Sequence, residues 1–192
     1  MKSRSSHSER VVIGCVNGRF QPPHKGHREY ILAAKELCDF LWVGITQYDL
    51  LKRKECAVAP HRARASANPL MYYERVHLLS TMLVAEGIPR GSFGFIPFPI
   101  DEPDHLSQFV PTSVTCFTTI YEPWNREKIK VLKDLGYEVR VLWERTVEQK
   151  LFSGGKIRES IRKGDAQWEK SVPDAILSDI KKAHIELRQL KL

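Results

Sequence analysis

The chain has 192 residues, of which 42% are hydrophobic, and this suits a single domain with an ordinary core. No stretch approaches the about 20 consecutive apolar residues of a membrane-spanning helix, so we expect no membrane partner. The net charge of +7 favours anionic partners, although charge alone does not distinguish nucleotides from nucleic acid.

The beginning of the chain is polar and basic, and we interpret residues 1–10 as a flexible tail before a single domain over residues 11–192. The apolar run behind that tail is too short for a secretory signal. The cysteines show no Cys-x-x-Cys spacing, which argues against a cysteine metal site and favours a reduced, cytoplasmic protein. These cysteines are Cys15, Cys38, Cys56 and Cys116.

Strand-like and helix-like segments alternate along the chain. Apolar runs predict strands over residues 11–17, 40–45, 93–97, 114–120 and 137–143. Spacing and end signals predict helices over residues 27–37, 68–85 and 123–136. In the second helix we expect Asn68 as the N-cap and Pro69 in the first turn. The alternation predicts a parallel sheet whose ligands bind beyond the carboxyl ends of its strands.

The first predicted strand runs into a segment that combines glycine, lysine and two histidines. Its residues are Gly18, Arg19, Phe20, Gln21, Pro22, Pro23, His24, Lys25, Gly26 and His27. Glycine lets backbone approach a phosphate closely, and a helix that begins near His27 would direct free N–H groups at the same anion. Imidazoles can donate hydrogen bonds to phosphate oxygens. The segment therefore favours a nucleoside triphosphate, although His-x-Gly-His alone could merely cap a helix.

A second glycine-containing turn precedes a short helix that we expect to end near Gly164. Its residues are Ser153, Gly154, Gly155, Lys156, Ile157 and Arg158. The two glycines leave N–H groups accessible, Ser153 can cap the helix, and Arg158 can hold a phosphate through two parallel hydrogen bonds. Alone, the turn could be structural. Together with the first segment, it predicts a second phosphate contact.

The two motifs resemble the nucleotidyltransferase superfamily that carries a His-x-Gly-His signature, and above all the archaeal-type nicotinamide mononucleotide adenylyltransferases. Pro23 stands where that family has phenylalanine, and Gly155 stands where it has threonine or serine. Segments at 68–75 and 136–139 follow in the family's order, so the likeness spans residues 11–180. The resemblance implies an α/β fold: a Rossmann-like five-stranded parallel sheet in the order 3-2-1-4-5, with helices on both faces and a C-terminal helical segment.

The resemblance also implies a reaction: transfer of a nucleoside monophosphate from a nucleoside triphosphate to a phosphate-bearing acceptor, with release of pyrophosphate. We expect ATP and nicotinamide mononucleotide first, with CTP or another phosphorylated small molecule as the alternative. An acceptor phosphate is already largely ionised at neutral pH, since its second pKa is ~6, so no strong base is needed. Positioning and electrostatics should supply most of the catalysis.

The candidate catalytic residues are Arg19, His24, His27 and Arg158. We expect His24 to contact the α-phosphate and then pyrophosphate, and His27 to stabilise charge on the transferred phosphorus. The predicted nucleotide-binding residues are Gly18, Arg19, Phe20, Gln21, Lys25, Gly26, Ser153, Gly154, Gly155, Lys156 and Ile157. Mg²⁺ is the expected cofactor, bound with the triphosphate and without a dedicated protein ligand.

The predicted acceptor-binding residues are Arg75, Gln47 and Trp124. Arg75 matches a family arginine, and Gln47 follows the second strand. Trp124 could stack on an acceptor ring or pack at the start of its helix, because the tryptophan that the family carries near the third strand is missing from residues 104–107. The basic segment 47–67 could hold the acceptor phosphate, close as a lid, or be a solvated loop.

Some of the same residues also occur in other functional classes. A class I aminoacyl-tRNA synthetase also carries a His-x-Gly-His-like string, but this chain is too short and has no Lys-Met-Ser-Lys-Ser segment. A non-catalytic nucleotide sensor or nucleic-acid-binding module stays open, although two phosphate motifs argue against a nucleic-acid partner. The resemblance is compatible with a homo-oligomer. The C-terminal helix either packs on the domain or binds a partner, through Ile176, Ile180, Ala183, Leu187 and Leu190.

Overall fold

Strands and helices alternate through most of the computed structural model, which describes residues 9–51, 64–150, 152–183 and 185. The strands are β1 (Val11–Gly18), β2 (Cys38–Ile45), β3 (Phe93–Pro97), β4 (Thr115–Ile120) and β5 (Val139–Glu144). The α-helices are α1 (Lys25–Glu36), α2 (Tyr72–Ala85), α3 (Pro123–Asp134), α4 (Gly154–Arg162) and α5 (Asp174–Lys182). Short 3₁₀ helices cover residues 65–67, 90–92, 103–108 and 166–171.

All neighbouring strands pair in parallel, in the order β3-β2-β1-β4-β5. The expected order and fold class are therefore confirmed. After β1, the chain places β2 and β3 on one side of that strand. It then crosses over and places β4 and β5 on the other side. In such a sheet, the loops at the carboxyl ends of the central strands diverge and leave a cleft between them.

The sheet carries a hydrophobic core on each face. Val16 of β1 packs with residues of α1, α2, α4 and α5, whereas its neighbour Cys15 packs on the other face with Leu132 of α3. This division follows from the two-residue period of a strand, which turns successive side chains to opposite faces. At the carboxyl end of β2, a Cβ on Gly44 would lie 2.6 Å from the ring of Phe98, so glycine admits that ring beside the cleft.

The beginning of α2 differs from its prediction. Asn68 ends the short 3₁₀ turn at residues 65–67, its side chain donates to the carbonyl of Arg64, and α2 begins only at Tyr72. Glu74 supplies the cap by accepting from the amide of Met71 at 2.7 Å. The Asn-Pro pair therefore marks a turn before the helix. The expectation that Asn68 would be the N-cap was wrong, because Asn also favours turns.

The ends of the chain match their predictions in part. In α5, Ile176 and Ile180 are buried, and Asp179 lies 3.3 Å from His77 of α2, so this helix packs on the domain. Arg10, predicted to be in the tail, donates to Asp39 at 2.7 Å. Several predictions fall outside the described residues: the tail over 1–8, the basic loop over 52–63, Cys56, Leu187 and Leu190. No helix in the described ranges is long and apolar enough to cross a membrane.

Candidate functional site

The first motif forms a tight turn between β1 and α1. Phe20 takes a left-handed backbone conformation, with φ at 54°, and its side chain is fully buried. His24 is the N-cap of α1, and its Nδ1 accepts from the amide of His27 at 3.3 Å. Since the imidazole caps the helix, its position is fixed by the backbone that it caps.

The two motif histidines lie against each other. Their rings are stacked with centroids 3.6 Å apart, and the edge of Phe20 meets His27 at 4.8 Å. Burial, and secondarily the nearby ammonium of Lys150, lower the pKa of His24 from 6.5 to about 3. His24 is therefore neutral at physiological pH. Because its Nδ1 accepts a hydrogen bond, the ring proton lies on Nε2, which is left to donate.

The second motif packs directly on the first. Ser153 is the N-cap of α4, and Arg158 of that helix donates through Nη1 to the carbonyl of Gln21 at 2.6 Å. A Cβ on Gly154 would lie 3.0 Å from the same carbonyl oxygen, so the glycine permits this approach. Burial lowers the pKa of Arg158 to about 10, which keeps the guanidinium charged at neutral pH. The two turns thus share one cleft.

Most residues predicted for the site line this cleft. They are Gly18, Arg19, Phe20, Gln21, His24, Gly26, His27, Gln47, Trp124, Ser153, Gly154, Gly155 and Arg158. Lys25 and Lys156 do not line it, since successive residues on a helix point about 100° apart. Ile157 is a core residue, and its amide donates to the carbonyl of Ser153. The side chain of Gln21 is engaged with the backbone of Leu70, at 2.7 and 2.9 Å.

Arg75 does not line the cleft. It is fully buried beneath the cleft, and its guanidinium donates to the carbonyl oxygens of Arg19, Thr46 and Gln47. A direct contact between this side chain and an acceptor phosphate, which the resemblance implied, does not agree with that burial. The reason lies in the packing of α2 against the ends of β1 and β2, which a sequence does not display.

Sequence reasoning missed three cations in the cleft wall. Lys128 of α3 is buried and donates to the side-chain oxygen of Asn17 at 3.3 Å. Arg145 and Lys150 follow β5 and bind Glu29 and Glu122, at 2.7 and 2.8 Å. The last two could have been found, because they follow the carboxyl end of a predicted parallel strand. The sequence did not indicate that Lys128 lines the cleft, since this residue belongs to a helix with several lysines.

The partly exposed aromatic rings of the cleft lie on one side of β1. They are Tyr121 and Trp124, which follow β4, Trp143, which lies in β5, and Phe152, which follows β5. The indole N–H of Trp143 donates to the Tyr121 hydroxyl at 2.9 Å, and Arg145 lies 4.5 Å from the Trp143 ring centre. This half of the cleft combines flat rings with positive charge, which suits a nucleobase and its phosphates.

The other half of the cleft is smaller and polar. Among the described residues it is lined by Thr46, Gln47, Ile100 and Asp101. Gln47 is buried with φ at 48°, and its side-chain amide donates to Asp101 at 2.8 Å. Gln47 and Trp124 follow strands that flank β1, which places their strands about 10 Å apart. The two predicted acceptor contacts therefore belong to different halves of the cleft.

His24 gives the first testable prediction, which concerns stability. Its pKa is about 3 when folded and near 6.5 when unfolded. Between these values only the unfolded chain binds the proton, so stability should fall as the pH decreases, by up to about 1.4 kcal/mol per unit. Urea unfolding at several pH values measures this slope. His24→Asn keeps an N-cap and should show a shallower slope, and equal slopes would contradict the burial of a neutral ring.

The cytidylyltransferase-like family matches residues 15–160 of this chain. A phosphonoformate cytidylyltransferase from Streptomyces viridochromogenes is 37% identical, over 91% of this chain and 94% of its own length. A nicotinamide-nucleotide adenylyltransferase from Pyrobaculum aerophilum is 30% identical, over 85% of this chain and 84% of its own length.

Among solved structures, a bifunctional NMN adenylyltransferase/ADP ribose pyrophosphatase from Francisella tularensis superposes with a TM-score of 0.59 at 14% identity. The match covers 93% of this chain but 52% of that one, so this chain spans about half its length. At this identity the likeness concerns the fold. The sequence match and the sheet order agree: the chain belongs to the cytidylyltransferase-like family and is a nucleotidyltransferase.

Proposed function

We propose that the protein transfers cytidylate from CTP to a small phosphonate or phosphate and releases pyrophosphate. One observation carries this choice over dinucleotide synthesis: the partly exposed rings of the cleft lie on the β4–β5 side, so the described residues offer a stacking surface for one base. Stacking on an aromatic side chain contributes about 1–3 kcal/mol per base. The opposite half is smaller and polar, and the described residues that line it, Thr46, Gln47, Ile100 and Asp101, include no aromatic ring.

The relatives support the same choice. The phosphonoformate cytidylyltransferase is 37% identical over nearly the whole of both chains, whereas the adenylyltransferase from Pyrobaculum aerophilum is 30% identical. A phosphonate acceptor also matches the chemistry of the site. It is ionised near neutral pH, and the cleft supplies cations and amide donors for its oxygens.

In the proposed reaction, an acceptor oxygen attacks the α-phosphorus of CTP. A new P–O bond forms, the bond from the α-phosphorus to the bridging oxygen of pyrophosphate breaks, and that electron pair leaves with pyrophosphate. No proton must be removed from an ionised acceptor. The cleft therefore acts by bringing two anions together and by stabilising the charge that develops on the transferred group.

Different side chains of the cleft have different roles in the proposed reaction. Arg158 and the first amides of α4 bind the triphosphate, while Nε2–H of His24 donates to an α-phosphate oxygen. His27 stabilises charge at the phosphorus, and Arg19 neutralises a phosphate. Lys128, Arg145 and Lys150 add positive charge on the β4–β5 side, and their ion pairs and hydrogen bonds hold them there before the nucleotide binds.

Mg²⁺ would enter with the triphosphate, where it lowers the charge repulsion between the reacting anions. Within the described residues, no group of three or more His, Cys, Asp or Glu side chains is placed to hold a metal ion. In the proposed reaction, Mg²⁺ would be bound by phosphate oxygens and water. Glu29, one of the carboxylates that line the cleft, is paired with Arg145.

The second candidate is transfer of adenylate from ATP to nicotinamide mononucleotide. It is favoured by relatives named nicotinamide-nucleotide adenylyltransferases, which match at 25–30% identity. In that reading Gln47 would contact the acceptor, and Trp124 would stack on one of the two rings. It requires an aromatic surface beside Gln47. The described residues that line the cleft there include no ring, and the neighbouring Tyr48 lies against Phe109, with ring centroids 5.9 Å apart.

A substrate panel tests the choice. CTP and ATP are each incubated with phosphonoformate or nicotinamide mononucleotide in the presence of Mg²⁺, and pyrophosphate release is measured. We expect the highest kcat/KM for CTP with phosphonoformate, by at least about tenfold, which corresponds to 1.4 kcal/mol of transition-state discrimination. Higher turnover of ATP with nicotinamide mononucleotide would overturn the proposal in favour of the second candidate.

A further inference from the structure

Two loops of the cleft contain residues in an unfavourable backbone conformation. Among the described non-glycine residues, only Phe20 and Gln47 have positive φ, at 54° and 48°. Each such residue costs about 1–3 kcal/mol and persists where its surroundings hold it. Phe20 follows β1 in the motif that contains the histidines, and Gln47 follows β2 in the polar half of the cleft. Both loops therefore require contacts that stabilise these backbone conformations.

The guanidinium of Arg75 contacts both loops. Its Nη1 donates to the carbonyl of Arg19 at 3.0 Å and to that of Thr46 at 2.8 Å, and its Nη2 donates to the carbonyl of Gln47 at 2.9 Å. Arg19 immediately precedes Phe20, and Thr46 immediately precedes Gln47. A single nitrogen thus holds the peptide group before each of the two left-handed residues.

This arrangement suits arginine and no other residue. Arg75 is fully buried, and its hydrogen-bond partners in the described part of the chain are carbonyl oxygens. Burial lowers its pKa to about 10, so the group stays charged at neutral pH. The flat guanidinium presents several donors in fixed directions, whereas a lysine ammonium lacks this fork.

The contact with Arg19 also orients the motif that carries the histidines. A trans peptide holds its C=O and N–H groups on opposite sides, and the peptide bond between Arg19 and Phe20 is trans. Since the carbonyl points at Arg75, the N–H of Phe20 points away from it. Arg75 thereby fixes the orientation of the peptide group that joins Arg19 to the buried Phe20.

We infer that Arg75 is a positioning residue for nucleotidyl transfer. It fixes the separation between the β1 loop, which carries the histidines, and the β2 loop, which lies in the acceptor half of the cleft. The inference rests on the proposed function, since it takes Gln47 to lie beside the acceptor. Its effect is on alignment, and a misplacement of 1 Å costs roughly 100-fold in rate.

The test compares Arg75→Ala and Arg75→Lys with Leu79→Ala. Leu79 lies one turn further along α2, is fully buried and belongs to the hydrophobic core, so it controls for lost stability. We expect Arg75→Ala to lose roughly 100-fold in kcat and to raise the acceptor KM, with a smaller change in the dissociation constant of CTP measured by calorimetry. The kcat of Arg75→Lys should lie between those of the wild type and Arg75→Ala. Millimolar guanidinium should restore part of the rate of Arg75→Ala. Leu79→Ala should keep the kcat and KM of the wild type at temperatures below its melting temperature.

Several outcomes would overturn the inference. They are wild-type kinetics in both Arg75 variants, loss of rate in proportion to the unfolded fraction, or the same losses in Leu79→Ala. If Arg75→Ala does not fold, Arg75→Lys and Leu79→Ala still decide between alignment and stability. The comparison can be made with whichever substrate pair the enzyme uses. Failure of CTP with phosphonoformate would therefore refute the proposed substrates and leave the role of Arg75 to be decided by these variants.

Discussion

Replacing His27 with alanine should lower kcat about 100- to 1,000-fold, because in the proposed reaction His27 donates to the group on which charge develops. The ring of His27 is held by stacking on His24 and by the edge of Phe20, at 3.6 and 4.8 Å between centroids. His24 remains in place as the N-cap of α1, so the melting temperature should change little. Steady-state measurement of pyrophosphate release, together with thermal unfolding, checks both expectations.

His77→Ala is the matched control for this variant. His77 is an exposed histidine of α2 that pairs with Asp179 at 3.3 Å, and it lies outside the cleft. Its replacement should leave kcat and KM within about twofold, since an exposed pair contributes at most about 1 kcal/mol to stability. Near-normal turnover of His27→Ala, or an equal loss in His77→Ala, would refute the role given to His27.

The sequence was sufficient to predict the architecture. The alternation of apolar runs and helical spacing predicted five strands, and each was found within two residues of its expected ends. The strand order came from the resemblance and is confirmed by the pairing of β1 with β2 and β4. Both are properties of local pattern and of chain order, which a sequence expresses directly.

The lining of the candidate site was predictable where it lies in contiguous motifs. Gly18 to His27 form the turn from β1 into α1, and Ser153 to Arg158 form the N-cap and first turns of α4, which follows β5. The sheet brings segments that follow its strands together at one edge. Contacts between distant segments were not predictable. Arg75 was interpreted as a substrate contact, because sequence spacing gives the face of α2 but not what the face packs against. The hydrogen bonds of Gln21 with Leu70 were missed for the same reason.

Electrostatics divides the cleft in a way that the total charge could not predict. The +7 of the chain favoured anions in general. In the structure, Arg145 and Lys150 are held by carboxylates on the β4–β5 side, while Asp101 lies in the opposite half and binds the Gln47 amide. A nucleotide with several phosphates and a smaller acceptor would thus meet different charge environments on the two sides of β1.

Arg158→Ala should produce the second large effect, because it breaks the link between the two phosphate motifs and removes a cation from the cleft. The guanidinium donates to the Gln21 carbonyl at 2.6 Å, and its loss leaves that carbonyl without its partner, at a cost of about 1–3 kcal/mol. We expect kcat/KM for the triphosphate to fall roughly 100- to 1,000-fold, with KM raised more than in the His27 variant. A charge-assisted phosphate contact exists in the ground state and in the transition state, so its loss affects binding as well as turnover.

Two further variants separate these contributions. Arg158→Lys keeps the charge but loses the planar fork, so it should recover part of the triphosphate affinity and less of kcat. Arg162 lies one turn further along α4 and is exposed, so Arg162→Ala should behave like the wild type. Initial rates measured over a range of CTP concentrations give kcat and KM for each variant, and urea unfolding gives its stability. Together they distinguish a loss of nucleotide binding from a loss of stability. If Arg158→Ala changed stability alone and kept its KM, Arg158 would be a link between two loops and would not bind the nucleotide.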